Sequence, residues 1–186
     1  MTIEMPSRYV YRQYHIDANR INSRQKVEAM NKLESWAHNG VIDILMSEVA
    51  MEEAAGGNSP ARTKKAYGHI FSYTESNGQS DAQRMTDIEN AIFPAGCANQ
   101  NQKNDVEIVF NSGKYCAPLI TDDGASRSQP GGILGARAQL RKMGITVLRA
   151  EEAISEIEDL IRSRDEFAHR VHQECGLELP DWYGRD

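Results

Sequence analysis

Four short apolar segments, separated by stretches of helical character, constrain the fold more than any other feature of this sequence. They are Tyr14–Asp17, Val41–Met46, Ala117–Thr121 and Ile145–Leu148. Short apolar strands that alternate with helices are typical of a parallel sheet buried between two layers of helices. The sequence therefore predicts an α/β fold, a three-layer α/β/α sandwich whose central parallel sheet has four or five strands.

Apolar periodicity and capping residues predict the helices that separate these strands. Ser47 is suited to cap a helix over Glu48–Ala55, and Ser59 followed by Pro60 marks the start of another helix. The other predicted helices are Ser23–His38, Asp81–Phe93, Asp105–Tyr115 with its start at Asn104 or Asp105, Ile133–Lys142, and residues 150–172.

The negative charge of the chain is concentrated at its C-terminal end. The 186 residues carry a formal net charge of −6, and residues 150–186 alone hold four basic and eleven acidic side chains. We expect one domain over residues 10–149 and an acidic helix and tail over residues 150–186, packed on the same domain. An apolar stripe with Ile157, Ile161 and Phe167 leaves open whether this helix is core or appendage. Because residues 1–149 are nearly neutral, the overall charge does not exclude a nucleic-acid partner.

Several protein classes are disfavoured by composition. The sequence contains no run of about 18 apolar residues, as a transmembrane helix needs, and no apolar segment of a signal peptide near residue 1. The cysteines, Cys97, Cys116 and Cys175, are odd in number and widely spaced, which fits neither a disulfide framework nor a zinc site. We therefore expect a cytoplasmic protein with no membrane partner.

Four carboxylates fall where the predicted topology brings distant residues together. Asp17 ends the first strand, Asp123 follows the third, Glu53 lies in the helix after the second, and Asp105 starts the helix before the third. In parallel sheets, sites form beyond the carboxyl ends of the strands. Clustered carboxylates repel one another unless cations are present, and oxygen ligands without His or Cys suit Mg²⁺ or Mn²⁺. This donor set predicts metal-assisted hydrolysis of a phosphodiester.

The same residues resemble the PIN domain, a family of metal-dependent ribonucleases that includes the toxins of VapBC toxin–antitoxin modules. The resemblance extends from Tyr14 to Leu148. It consists of Asp17-Ala18-Asn19 after a strand, Ser47 with Val49 and Glu53 after the next, and Asp105 with a later Thr121-x-Asp123. The resemblance implies that Asp17, Glu53, Asp105 and Asp123 bind the metal and act in catalysis, and that Asn19 and Thr121 support the site.

Two of the metal ligands could each be the neighbouring acid instead, since Glu52 is adjacent to Glu53 and Asp122 to Asp123. The register after Ser47 favours Glu53, and the Thr-x-Asp form favours Asp123. The chain also departs from the family pattern in its Gly/Ser-rich segment 124–132 and its long acidic extension.

The predicted activity is that of a metal-dependent endoribonuclease, a hydrolase with an RNA substrate. Its candidate RNA-binding residues are Arg62, Lys64, Lys65 and Arg127. The alternatives are a non-catalytic PIN-like interaction module or the toxin component of a toxin–antitoxin pair. Candidate protein partners are accordingly an antitoxin and a second copy of the chain in a homodimer.

Overall fold

The computed structural model describes residues 3–21, 24–56, 59–68, 79–124 and 131–186. Strands and helices alternate along most of these ranges, as the apolar segments predict. The strands are β1 (Gln13–Ile16), β2 (Asp43–Leu45), β3 (Leu119–Ile120) and β4 (Val147–Leu148). The helices are α1 (Glu28–His38), α2 (Glu48–Ala55), α3 (Pro60–Gly68), α4 (Gln79–Ile92), α5 (Gln100–Lys114), α6 (Gly132–Lys142) and α7 (Ala150–Cys175), with a 3₁₀ turn at Ala18–Arg20.

The four strands of the described ranges form one parallel sheet in the order β2-β1-β3-β4. Ile16 at the end of β1 pairs with Ile120 at the end of β3, so the segments that follow both strands leave the sheet at the same edge. The predicted α/β class and its parallel sheet are confirmed. Beyond this edge, Asp17 lies in the segment after β1, Ser47 in the segment after β2, and Asp123 in the segment after β3.

Local capping fixes α2 as the sequence predicts. The Ser47 hydroxyl accepts a hydrogen bond of 3.2 Å from the backbone N–H of Ala50, and the helix runs over Glu48–Ala55. This bond satisfies one of the free N–H groups of the first turn. Glu53 is thereby placed in the second turn after the β2 edge.

The predicted start of α5 is wrong. The helix begins at Gln100, so Asp105 lies in its second turn and not at its start. The cap is Asn99, whose side chain accepts a hydrogen bond of 3.0 Å from the N–H of Gln102. The apolar pattern begins only at Val106 because the first turn is largely exposed, and periodicity carries no signal where no face is buried.

Helix α7 is part of the core and not an appendage, the two alternatives that its sequence leaves open. Ala153, Ile157 and Ile161 are buried in the same apolar cluster as the strands and α1. The placement of Phe167 on the buried face is wrong, since 42% of it is exposed. Arg164, three residues after Ile161, is buried instead. The guanidinium carbon of Arg164 lies 4.2 Å from the centroid of the Trp182 ring.

None of the helices within the described ranges is long and apolar enough to cross a membrane.

We expect Ile157→Ala to lower the free energy of unfolding by about 2–5 kcal/mol, because it leaves a cavity in the shared core. Ser155→Ala, on the exposed face of the same helix, should change it by less than about 0.5 kcal/mol. Urea denaturation of both variants measures the difference. Equal stability of the two would contradict the assignment of α7 to the core.

Candidate functional site

The four candidate carboxylates line one open pocket of about 530 Å³ at the carboxyl edge of the sheet. Asp17 directly follows β1, Glu53 lies in α2, Asp105 lies in α5, and Asp123 lies in the loop after β3. The remaining described residues of its wall are Ala18, Asn19, Gly56, Arg62 and Asn101. Four acids from distant sequence positions therefore share one concave surface.

A hydrogen-bond network around Thr121 holds Asp17 in place. Asp17 is only 3% exposed, and its Oδ2 accepts hydrogen bonds from the Thr121 hydroxyl at 2.6 Å and from the Asn19 amide at 2.7 Å. The Thr121 hydroxyl in turn accepts from the Asn19 amide at 3.1 Å and from the backbone N–H of Asp123 at 3.0 Å. Asn19 and Thr121 thus orient one acid and the backbone of a second.

The structure separates Asp123 from its neighbour Asp122. Asp123 lines the pocket, and its Oδ2 accepts a hydrogen bond of 2.7 Å from the N–H of Ile133 in the first turn of α6. The Asp122 side chain is 42% exposed and forms an ion pair of 2.6 Å with Arg20. Of these two acids, only Asp123 belongs to the described wall of the pocket.

Glu53 and Glu52 differ in the same way. Glu53 lines the pocket, and its Oε1 accepts a hydrogen bond of 2.7 Å from the amide of Asn104 on α5. Glu52 is exposed and lies outside the pocket wall. The bond from Asn104 joins two residues that are 51 positions apart, and it fixes one oxygen of the carboxylate.

The pocket is unfavourable for negative charge at neutral pH. Burial raises the pKa of Asp17 to about 6; the hydrogen bond from Thr121 opposes this rise, and the charges of Glu53 and Asp123 add to it. Burial, followed by the charges of Asp123, Asp17 and Glu53, raises the pKa of Asp105 to about 7. Protons or cations therefore stabilise this site.

The donor chemistry of the pocket fits Mg²⁺ or Mn²⁺. All four acidic side chains offer oxygen ligands, and no His or Cys is among the described residues of the wall. Within the described ranges, however, no three acidic, His or Cys side chains stand close enough to form a ready-made metal-binding group. Glu53 and Asp123 instead accept hydrogen bonds from the amide of Asn104 and from the N–H of Ile133, respectively.

The candidate RNA-binding residues lie in different places. Arg62 lines the acidic pocket, and Lys64 is exposed on α3. Lys65 forms an ion pair of 2.6 Å with Glu34 and lines a different pocket with Ile42 and Ile44. Arg127 lies outside the described residues.

Two asparagines of α5, Asn101 in the pocket wall and Asn104 as the hydrogen-bond donor to Glu53, are not among the site residues predicted from the sequence. Asn101, Asn104 and Asp105 are three and four positions apart, so they share one face of α5. A helix that starts after Asn99, whose side chain is a favoured cap, places both asparagines on the face that carries Asp105.

Comparison with known proteins finds similarity among solved structures. No protein-family model matches the chain, and no curated protein matches it. One of the similar solved structures is the crystal structure of VapBC2 from Rickettsia felis bound to a DNA fragment from their promoter. It is similar to the present chain with a TM-score of 0.46 and 13% sequence identity. The similarity covers 74% of this chain and 98% of that one. At this level of identity and TM-score, the similarity says nothing about the function of the present chain.

Proposed function

We propose that this protein is a metal-dependent endoribonuclease of the PIN type, with Asp17, Glu53, Asp105 and Asp123 as metal ligands. The observation that carries the proposal is that these four acids, from four separate elements, line one pocket. The raised pKa values of Asp17 and Asp105 support it, because a site that disfavours bare negative charge favours a bound cation. The order and spacing of the residues that resemble the PIN domain also support it.

The proposed reaction is hydrolysis of an RNA phosphodiester. A water molecule gives up one proton as its oxygen bonds to phosphorus, the bond from phosphorus to the leaving ribose oxygen breaks, and the ribose oxygen takes up one proton. Mg²⁺ or Mn²⁺ at this site would polarise the water and offset the negative charge of the reacting phosphate. The chain's own residues hold the ligand set: Thr121 and Asn19 orient Asp17, and Asn104 orients Glu53.

Adjacent acids provide matched controls for the test. Cleavage of single-stranded RNA is measured with Mn²⁺ and with EDTA for wild type, Glu53→Gln and Asp123→Asn, beside Glu52→Gln and Asp122→Asn. We expect Glu53→Gln and Asp123→Asn to lose at least about 100-fold in rate, and the two neighbours to lose less than about threefold. Equal rates in all five proteins, or no cleavage of varied RNAs with Mn²⁺, would refute the proposal.

A non-catalytic interaction module is the second candidate. It is favoured by one observation, namely that no ready-made metal-binding group exists among the described residues. Titration calorimetry and thermal melting with Mn²⁺ distinguish the two candidates, because an ion that binds the folded state raises the melting temperature. The absence of both Mn²⁺ binding and a rise in melting temperature would favour the module. A toxin role with an antitoxin partner, a homodimer and a cytoplasmic location stay predictions from the sequence.

A further inference from the structure

The acidic pocket contains a cation. Arg62, in the first turn of α3, is the only cationic residue among the described residues of the pocket wall. It shares this wall with Asp17, Glu53, Asp105 and Asp123. A guanidinium in such surroundings has two obvious uses, either as a counter-ion for the carboxylates or as a group that meets an anionic ligand.

The contacts of Arg62 argue against the counter-ion use. Within the described ranges, its guanidinium forms no ion pair with any of the four carboxylates. Its Nη2 instead donates a hydrogen bond of 2.7 Å to the carbonyl oxygen of Ala18, the residue that follows Asp17. Its Nε is buried and has no hydrogen-bond partner in the described part of the chain. The head group is therefore held at the wall of the acidic pocket by a neutral acceptor, without a direct ion pair to an acid of the described ranges.

A guanidinium at a pocket wall whose Nη groups have N–H donors without acceptors in the described part of the chain is placed to donate to an anionic ligand. Arg presents N–H donors in a planar fork that matches two oxygens of a phosphate group. A phosphodiester that reaches the four acids necessarily enters the pocket that Arg62 lines. The bond to Ala18 occupies one donor of Nη2, which leaves the second N–H of Nη2 and the two N–H groups of Nη1 for such a ligand, while Nε is buried.

The other basic residues considered, Lys64, Lys65 and Arg20, do not combine a place in the pocket wall with the absence of an ion pair. Lys65 is paired with Glu34, and Arg20 is paired with Asp122. Lys64 is exposed and lies outside the described wall of the pocket. The position of Arg62 is thus distinguished from its neighbours by both location and availability.

We infer that Arg62 binds the non-bridging oxygens of the phosphodiester that is cleaved in this pocket. The inference rests on the proposed nuclease function and assigns a residue that contacts the reacting group. Because the negative charge on these oxygens persists in the transition state, a fixed guanidinium supports both binding and reaction.

The test measures binding separately from cleavage. Wild type, Arg62→Gln and Arg62→Lys are compared with Lys142→Gln, which removes one exposed positive charge from the far end of α6. Fluorescence anisotropy gives the Kd for a single-stranded phosphorothioate RNA of about 12 nucleotides, with Mn²⁺ and with EDTA. Calorimetry gives the Kd for Mn²⁺ alone, and thermal melting verifies that each variant is folded.

We expect Arg62→Gln to weaken oligonucleotide binding in Mn²⁺ at least about tenfold and to change the Mn²⁺ Kd by less than about threefold. Arg62→Lys should recover part of the loss, since a point charge remains without the fork. Lys142→Gln should bind like wild type. Unchanged oligonucleotide binding by Arg62→Gln would overturn the inference. So would tighter Mn²⁺ binding as the main effect of this substitution, because that result identifies Arg62 as a counter-ion of the carboxylates.

These arms also separate the inference from the proposed function. If wild type binds Mn²⁺ and cleaves RNA while Arg62→Gln binds the oligonucleotide equally well, the inference fails and the nuclease proposal stands. If wild type neither binds Mn²⁺ nor cleaves, loss of binding by Arg62→Gln in EDTA still supports an anion site at Arg62. A wild-type protein that binds the oligonucleotide in neither condition overturns the inference whatever the Mn²⁺ result.

Discussion

Asp105→Asn should yield a protein that is more stable without metal and inactive with it. The Asp105 carboxylate shares its pocket with three other acids, and burial together with their charges raises its pKa to about 7. Asparagine has nearly the same shape and no charge, so it removes the repulsion. We expect a gain of about 1–2 kcal/mol in the free energy of unfolding at pH 8 in EDTA, a value reduced for the screening that water provides at a partly exposed group.

The pH dependence of this gain has a definite sign. A carboxyl group whose pKa is higher in the folded than in the unfolded state binds its proton more tightly when folded. Its contribution to stability is therefore present below about pH 4 and is lost as the pH rises through about 7. The difference in stability between Asp105→Asn and wild type should be small at pH 4 and grow toward pH 8.

Urea denaturation at several pH values in EDTA measures this difference, with Asp87→Asn on the exposed face of α4 as the control for net charge. Mn²⁺ should then raise the melting temperature of wild type and leave that of Asp105→Asn unchanged, because only wild type retains the full ligand set. The expectation fails if Asp105→Asn is less stable than wild type at pH 8, or if Mn²⁺ stabilises both proteins equally.

Gly132→Ala should disrupt the site through Asp123. Gly132 has φ +59° at the start of α6, and a Cβ atom there would overlap the Asp123 carboxylate and lie 2.8 Å from its Cγ. The carboxylate is held in this place by the N–H of Ile133, and the Asp123 carbonyl accepts a hydrogen bond of 3.0 Å from the N–H of Leu134. An added methyl group therefore displaces Asp123 from the helix terminus. We expect Mn²⁺ affinity to fall at least about tenfold.

Gly144 supplies a matched control at the other end of the same helix. It also has a positive φ, +79°, but a Cβ atom there meets no atom within 4 Å. Gly144→Ala and Gly132→Ala both incur the backbone cost of a left-handed conformation, about 1 kcal/mol. Calorimetry with Mn²⁺ should show normal affinity for Gly144→Ala alone. Wild-type affinity in Gly132→Ala would mean that Asp123 is not a metal ligand.

The parts of the fold that are correctly predicted from sequence are those that depend on neighbouring residues. The Ser47 cap sets the bounds of α2, and four apolar runs mark the four strands, because caps and burial patterns act within a few positions. The start of α5 is missed because its first turn buries no continuous apolar face. Arg164 could not be foreseen as a buried residue, since its burial depends on Trp182 and on the backbone of Arg8.

The residue types of the candidate site can likewise be predicted, while its connections cannot. The four acids and the Thr121 hydroxyl follow from their places in the strand and helix pattern, because parallel strands end at one edge of a sheet. The register after Ser47 and the Thr-x-Asp form favour Glu53 and Asp123, and the pocket contains both.

The sequence by itself determined the α/β class, the parallel sheet and a set of acids at its carboxyl edge, because these depend on local periodicity and chain order. The tertiary structure alone decided that Asn104 holds Glu53, that Gly132 leaves room for Asp123, and that Arg62 is fixed by Ala18 inside the acidic pocket. Each of these contacts joins residues that are between 9 and 51 positions apart. Such contacts follow no period along the chain, so they appear only when the packed elements bring their side chains within hydrogen-bond or van der Waals distance.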